Sequence, residues 1–172
     1  SAKRVSSYEK LKLLAVTGGI PKYLEEVDFK MSAEENIKNL CFKKGGFLVK
    51  EFDNIFSDLF LRDSALYREI VKTLVSGPKE PLEICKVLNI TQTGRFSQYL
   101  EELELAGFIK RDYAWHIASG QDSKLSKYRL SDNYLRFYLK YIHKYHSKIA
   151  RDSFAIKSLS SLPELQTILG LQ

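Results

Sequence analysis

The pattern of hydrophobic and polar positions predicts a chain that is mainly helical. Apolar residues recur at helical spacing in residues 7–16, 34–43 and 49–60, with polar residues between them. The glycine pairs Gly18-Gly19 and Gly45-Gly46 follow the first two segments, and glycine is typical of helix ends. The apolar face of the third segment, which we expect to be buried, contains Phe52, Ile55, Phe56, Leu59 and Phe60.

Three shorter helices are predicted next, in a helix-turn-helix arrangement. They cover residues 64–77, 81–89 and 91–108, and the turn at 89–91 separates the second helix from the third. Ser64 is the expected N-cap of the first of these helices, because a serine hydroxyl accepts hydrogen bonds from backbone N–H groups at a helix start.

The periodicity changes after the third helix and predicts a small β-hairpin. Residues 108–117 are rich in strand-forming side chains, and residues 125–130 alternate apolar residues with Lys127 and Arg129. The sequence ASGQDS between them is typical of a loop. Three helices followed by such a ribbon form a winged helix, with the tip of the wing at residues 118–124.

A long helix is predicted over residues 134–150, with an aromatic stripe and a basic stripe on different faces. We interpret the tyrosines as core residues, and stacking platforms for nucleic-acid bases are the alternative. The basic stripe is either a solvated face or a contact surface for phosphates. The tyrosines are Tyr134, Tyr138, Tyr141 and Tyr145, and the cations are Arg136, Lys140, Lys144 and Lys148.

The positive charge of the chain is concentrated in one stretch. The 172 residues carry a net charge of +6, whereas residues 110–151 alone carry 10 basic and 3 acidic side chains. Residues 79–109 carry 3 basic and 5 acidic side chains. A localised basic surface of this kind favours a nucleic acid or an acidic protein as the partner.

Cysteine and hydropathy patterns exclude several classes of protein. Cys41 and Cys85 are too few for a disulfide scaffold and lack zinc-site spacing, so we interpret them as small buried residues. His143 and His146 have no acidic or cysteine neighbour that would complete a metal site. No apolar run approaches the roughly 20 residues of a membrane span, and no signal peptide is recognisable. The chain is therefore expected to be cytoplasmic, without a membrane partner.

Several stretches together resemble one family of proteins. They are GGIPKYL at residues 18–24, the three-helix block, QYLEELELAGFI at 98–109 and YRLSDNYLRF at 128–137. In this combination they resemble the archaeal-type P-loop ATPases of the AAA+/STAND group. In that family an ATPase core is followed by a helical lid, a winged helix and often a nuclease-like domain. The resemblance runs from about residue 7 to the end of the chain.

The resemblance implies a division of the chain into three parts. Residues 1–62 correspond to a helical, lid-like subdomain, 63–131 to the winged helix, and 132–172 to a C-terminal helical extension that leads to a missing domain. The chain begins with Ser1-Ala2 and not with a methionine, so we expect it to be a piece of a longer protein.

The sequence contains no motif for nucleotide hydrolysis. A phosphate-binding loop of the form GxxxxGK[ST] is absent, and so is a strand ending in acidic residues that would hold Mg²⁺. We therefore expect the chain to be no enzyme by itself and to hold no cofactor. ATP and Mg²⁺ are expected for the parent protein, in the missing N-terminal ATPase core.

The resemblance also implies a nucleotide-sensing role for the glycine-rich motif. Lys22, presented by Gly19 and Pro21 at a helix start, would reach the γ-phosphate of a nucleotide bound to the missing core. The alternative is a glycine turn before a helix that begins with proline, with Lys22 exposed to solvent.

A winged helix that binds duplex DNA would use two sets of side chains. The start of the third helix would reach base edges with Gln92, Arg95 and Gln98. The wing would contact phosphates with Lys110, Arg111, Lys124, Lys127 and Arg129. Three acids farther along the third helix, Glu101, Glu102 and Glu104, would repel phosphates, so only the N-terminal turn of this helix is expected to dock. The alternative is a rigid spacer or a protein-docking surface.

Three functional hypotheses follow. The leading one is a non-catalytic lid and winged-helix fragment of an archaeal-type ATPase, which couples nucleotide state to binding of double-stranded DNA or a protein partner. The second is a self-standing winged-helix transcription regulator, with residues 1–62 as a dimerisation or effector region. The third is a protein-interaction module without affinity for nucleic acid.

Overall fold

The computed structural model describes residues 6–116 and 121–165, with side chains described up to Tyr113 in the first strand and from Leu125 in the second. The described chain is mainly helical and contains a small two-stranded antiparallel sheet, which confirms the predicted fold class at this level. The named elements are α1 (Ser7–Thr17), α2 (Pro21–Glu25), α3 (Ala33–Cys41), α4 (Phe47–Leu59), α5 (Ser64–Thr73), α6 (Pro81–Leu88), α7 (Gly94–Leu105), β1 (Ile109–His116), β2 (Gln121–Leu130), α8 (Asn133–Phe137) and α9 (His143–Ala150).

The chain forms two compact units. Unit 1 combines Ser1–Ile55 with Asn133–Gln172, and unit 2 is Phe56–Asp132. Unit 1 is therefore discontinuous in sequence, and the residues of unit 2 are inserted between its two parts. The first and last of the three predicted segments contribute to one compact unit, although they are far apart along the chain.

Side-chain and backbone caps explain where several helices begin and end. Ser6 accepts a hydrogen bond from the Glu9 N–H at the start of α1. Ser32 and Glu35 form a reciprocal capping box at the start of α3. Gly18 ends α1 with a φ of 65°, a left-handed conformation in which glycine carries no steric penalty.

The N-cap expected for α5 is wrong by one residue. Ser64 is the first residue of the helix, and the N-cap is Asp63, which has a φ of 61°. The Asp63 side chain makes no capping hydrogen bond to α5. It bonds instead to α7, in a contact that is described with the functional site.

Aromatic side chains of the last helical stretch contribute to the core of unit 1. The chain is helical from α8 through a π-helical segment, Tyr138–Ile142, into α9, which covers the predicted long helix. The Tyr138 ring stacks on Phe52 of α4 with centroids 4.4 Å apart. Tyr134 lies edge-on to Tyr23 of α2, and its hydroxyl donates a 2.8 Å hydrogen bond to the Leu48 carbonyl.

The tyrosine stripe is mostly core, as predicted. Tyr134, Tyr138 and Tyr141 are at most 3% exposed, whereas Tyr145 is half-buried. The predicted stripe assumes α-helical rotation from residue 134 to residue 150. The π-helical segment interrupts that rotation, because its hydrogen bonds span one more residue than those of an α-helix. The structure nevertheless keeps three of the four rings inside.

The basic stripe is not uniform. The Lys140 ammonium binds the Glu164 carboxylate, whereas Lys144 and Lys148 are exposed. Arg136 is half-buried and donates a hydrogen bond to Asn133. The half of this stripe nearer the chain end is therefore the solvated part.

The core of unit 2 lies between the last turn of α4, α5, α7 and the start of β1. Phe56, Phe60, Tyr67 and Phe108 are each at most 8% exposed, and their rings contact one another. Leu59 was expected on the buried face but is 59% exposed. Lys79, between α5 and α6, exchanges two backbone hydrogen bonds with Tyr128 of β2, which ties this connection to the sheet.

Within the described residues, none of the helices is both long and apolar enough to cross a membrane. Cys41 and Cys85 are free and buried, as the sequence predicted.

The buried tyrosines of unit 1 predict a loss of stability at high pH. Burial raises the pKa of Tyr138 and that of Tyr141 to about 12. In the unfolded chain these groups ionise near pH 10, so between about pH 10 and about pH 12 the unfolded state binds fewer protons than the folded state and stability falls. Tyr138→Phe should flatten this fall, measured by denaturant unfolding at several pH values.

The matched control is Tyr8→Phe, which removes a hydroxyl from a tyrosine that is 53% exposed. It should leave the alkaline loss of stability unchanged. The same pH dependence in Tyr138→Phe and in the unsubstituted chain would contradict the role assigned to Tyr138.

Candidate functional site

The glycine-rich motif forms a tight connection between α1 and α2 in unit 1. Gly18 and Gly19 have φ values of 65° and 75°, so both positions favour glycine. Pro21 is the first residue of α2, where its missing N–H has no helical partner to lose. Lys22 is therefore presented in the first turn of α2.

Lys22 pairs with a buried carboxylate. Its ammonium lies 3.1 Å from Oε1 of Glu51 and 5.3 Å from the centre of the Phe47 ring. The Lys22 side chain is 61% exposed, whereas the Glu51 side chain is only 5% exposed. The structure thus gives Lys22 a defined internal partner, and its contact with nucleotide remains a prediction.

Sequence reasoning missed Glu51. The sequence feature that could have identified it is the position of an acidic residue next to Phe52, at the edge of the apolar face of α4. A carboxylate in that position requires a cation or donors, because burying an unpaired charge is costly. Only the fold brings Lys22, 29 positions earlier, to that carboxylate.

The start of α7 exposes the three side chains expected to read base edges. Thr93 is the N-cap, and its hydroxyl accepts a hydrogen bond from the Phe96 N–H. Gln92 therefore precedes the helix, whereas Arg95 and Gln98 lie on it, and all three are exposed. Arg95 and Gln98 line one surface groove of unit 2, and Gln92 is not part of its lining.

Arg95 is held by residues that the sequence analysis did not connect with it. Its Nη2 lies 2.6 Å from Oδ2 of Asp63, and the same oxygen accepts a 2.8 Å hydrogen bond from the Tyr99 hydroxyl. The guanidinium lies over the Tyr99 ring, 5.6 Å from its centre. The hydrogen bonds from Tyr99 and Arg95 lower the pKa of Asp63, which stays ionised near neutral pH.

The predicted wing cations are divided between the two faces of the ribbon. Lys110 pairs in register with Arg129, and Asp112 pairs with Lys127, so these four side chains share one face. Lys110 and Lys127 are exposed, and Arg129 is half-buried. We call this set, Lys110, Asp112, Lys127 and Arg129, the ribbon face.

Arg111 lies on the opposite side of the ribbon. Its backbone position pairs with the buried Tyr128, and its Nε donates a 2.8 Å hydrogen bond to the Ser126 hydroxyl. The guanidinium also lies 4.8 Å from the centre of the Tyr113 ring. The structure therefore does not place Arg111 with the ribbon face, and the Lys124 side chain lies outside the described residues.

Several acidic side chains of unit 2 bind donors within the unit. Asp112 accepts a 2.6 Å hydrogen bond from Arg129 across the strands. Glu104 accepts a 2.8 Å hydrogen bond from the Arg111 N–H, and Glu102 accepts one from the Tyr67 hydroxyl. Glu101 is exposed. The acids expected to repel phosphates thus include two that hold α7 to its neighbours.

The ribbon face suits a partner with distributed negative charge. It carries three cations and one carboxylate, and the carboxylate is already bound to one of the cations. Side chains of this kind bind phosphates without fixed geometry, whereas the fixed Arg95 suits a directional contact. In the part of the chain that the structure describes, no cluster of three or more His, Cys, Asp or Glu residues is positioned to hold a metal ion.

Comparison with known proteins gives one distant relative. The chain is 26% identical over 153 residues to an uncharacterised protein of Methanocaldococcus jannaschii, an alignment that covers 89% of this chain. The chain spans only 34% of the length of that relative. No family model matches the chain, and no solved structure matches it significantly.

The Lys22–Glu51 pair predicts a measurable contribution to stability. Lys22→Met keeps an apolar stem near Phe47 but removes the ammonium, and it should lower the free energy of unfolding by about 1–2 kcal/mol because Glu51 loses its cation. Adding Glu51→Gln should recover part of that loss. Denaturant unfolding of the single and double variants measures the coupling.

Lys10→Met, at an exposed position of α1, is the matched control. If Lys22→Met destabilises the chain no more than Lys10→Met does, the pair has no structural role.

Proposed function

We propose that the chain is the non-catalytic lid and winged-helix part of an archaeal-type AAA+/STAND ATPase, and that unit 2 binds double-stranded DNA. In this proposal the missing ATPase core binds ATP and Mg²⁺, and the present chain transmits the nucleotide state to the DNA-binding surface. The start of α7 reads bases, and the ribbon face contacts phosphates.

The observation that carries the DNA-binding proposal is the presence, in one compact unit, of an exposed helix start and a basic strand ribbon. Arg95 and Gln98 are exposed at the start of α7, and the cations of the ribbon face follow within the same unit. An α-helix fits the major groove of B-form DNA, and basic side chains beside it would fix the register on the backbone.

Two features support the winged-helix assignment. The helices α5, α6 and α7 precede the ribbon, and Asn89 ends α6 with a left-handed φ of 53° before the turn into α7. The connection between α5 and α6 pairs with β2 through Lys79 and Tyr128. This bridge ties the ribbon to the helical block of unit 2, which also contains the proposed reading helix.

The proposed link to an ATPase rests on the glycine-rich motif and on the resemblance it carries. Gly19 and Pro21 present Lys22 at a helix start, on a side chain that is 61% exposed. A phosphate group would compete with Glu51 for this ammonium. The length of the Methanocaldococcus jannaschii relative is consistent with such a region forming part of a longer protein.

A protein-docking role is the second candidate, and one observation favours it. Leu59 and Leu61, which are 59% and 90% exposed, line the same groove as Arg95. Exposed apolar residues beside charged ones are typical of protein interfaces. Binding to a protein through this groove would depend on the leucines, whereas DNA binding would depend on the ribbon face.

Titration of the chain with labelled duplex DNA tests the proposal. Three phosphate contacts predict that the affinity falls about 40-fold between about 50 and about 200 mM salt. Lys127→Ala should weaken binding to all sequences about equally and lower the salt slope by about one. Arg95→Ala should change the sequence preference more than the salt slope.

Lys30→Ala, which removes one exposed positive charge from unit 1, is the control and should leave DNA binding unchanged. Absence of binding even at the lower salt concentration would overturn the DNA-binding proposal. A Lys127→Ala variant that binds DNA as tightly as the unsubstituted chain would show that the ribbon face does not contribute to DNA binding.

A further inference from the structure

Asp63 is the N-cap of α5, but its side chain makes no capping hydrogen bond to that helix. Aspartate at a helix N-cap normally accepts a hydrogen bond from a backbone N–H of its own helix. At the start of α5, Asp63 makes no such bond and holds a left-handed φ of 61°. Its carboxylate reaches α7, where one oxygen accepts hydrogen bonds from both Arg95 and Tyr99.

This arrangement fixes the Arg95 guanidinium in direction and in position. Asp63 holds one terminal nitrogen, and the Tyr99 ring lies beneath the group. A guanidinium has five N–H donors, so most of its donors stay free of the carboxylate, and the side chain remains 67% exposed. Arg95 thus has two defined partners and is still accessible to a ligand.

The contact with Asp63 also changes how the Arg95 guanidinium would interact with DNA. The Asp63 carboxylate neutralises the guanidinium locally, which weakens a general attraction to phosphates. The directed N–H donors remain, and a paired set of such donors matches the O6 and N7 acceptors of guanine in the major groove. A neutralised but oriented arginine therefore favours base recognition over backbone attraction.

We propose that Asp63 is a positioning residue that orients Arg95 toward a guanine edge of duplex DNA. Arg95 then supplies discrimination between sequences, and the ribbon face supplies the general affinity. This inference rests on the proposed DNA-binding function of unit 2. Tyr99 is the second positioning residue, because its hydroxyl holds the Asp63 carboxylate and its ring supports the guanidinium.

The test uses the full 172-residue chain and a pool of randomised duplexes. The pool first yields the sequence that the unsubstituted chain prefers, and dissociation constants are then measured for that duplex and for G·C to A·T exchanges within it. In Asp63→Asn the discrimination at one guanine position should fall about tenfold or more. The salt slope should increase by about one, because the released Arg95 becomes free to contact a phosphate.

Two further variants separate orientation from charge. Asp58→Asn removes an exposed carboxylate from the same unit and should change neither the discrimination nor the preferred sequence. Tyr99→Phe keeps the ring but removes the hydroxyl, and it should lower the discrimination less than Asp63→Asn does. Thermal unfolding of each variant verifies that unit 2 remains folded.

The outcomes distinguish this inference from the proposed function. Salt-sensitive binding with equal discrimination in Asp63→Asn and in the unsubstituted chain would overturn the positioning role and leave DNA binding intact. If Asp58→Asn caused the same loss of discrimination, the effect would come from removing a negative charge and not from the position of Asp63. That result would also overturn the positioning role. Absence of DNA binding by the unsubstituted chain would overturn the proposed function and this inference with it.

Discussion

Packing of buried tyrosine rings is the interaction on which unit 1 depends. Tyr134 and Tyr138 connect the returning end of the chain to α2 and α4, through Tyr23 and Phe52. These two partners directly follow Lys22 and Glu51 in sequence, so the same packing brings the ammonium and the buried carboxylate together. Bringing together the two parts of unit 1, which are far apart along the chain, costs conformational entropy, and burial of these large rings offsets it.

The electrostatics of unit 2 follow from pairing inside the unit. Asp63, Asp112, Glu102 and Glu104 each bind a donor from another element, and this fixes the positions of the cations and of α7. Although residues 79–109 are net negative, Glu102 and Glu104 are therefore not free carboxylates facing a partner. The ribbon face and Arg95 consequently differ in the contacts they can make. The ribbon face carries exposed cations, whereas the Arg95 guanidinium is oriented by Asp63 and Tyr99.

The sequence predicted the elements better than their contacts. Glycines that end helices are local signals, so the end of α1 at Gly18 could be predicted, and strand alternation identified Lys127 as exposed. The partners of charged groups were not readable, because Glu51 and Asp63 meet Lys22 and Arg95 only after folding. The sequence analysis grouped Arg111 with the other wing cations, whereas the structure places it on the opposite side of the ribbon from Lys110 and Lys127, because successive side chains of a strand point to opposite faces. The predicted functions of these residues remain proposals.

Nuclear magnetic resonance mapping of duplex DNA on the isotopically labelled chain tests the central claim most directly. The account predicts amide shift changes at the first turn of α7, around Arg95 and Gln98, and along the ribbon face at Lys110 and Lys127. Those changes should weaken together as salt is raised. Changes confined to unit 1, or the absence of any change at low salt, would contradict the assignment of unit 2 as a DNA-binding surface.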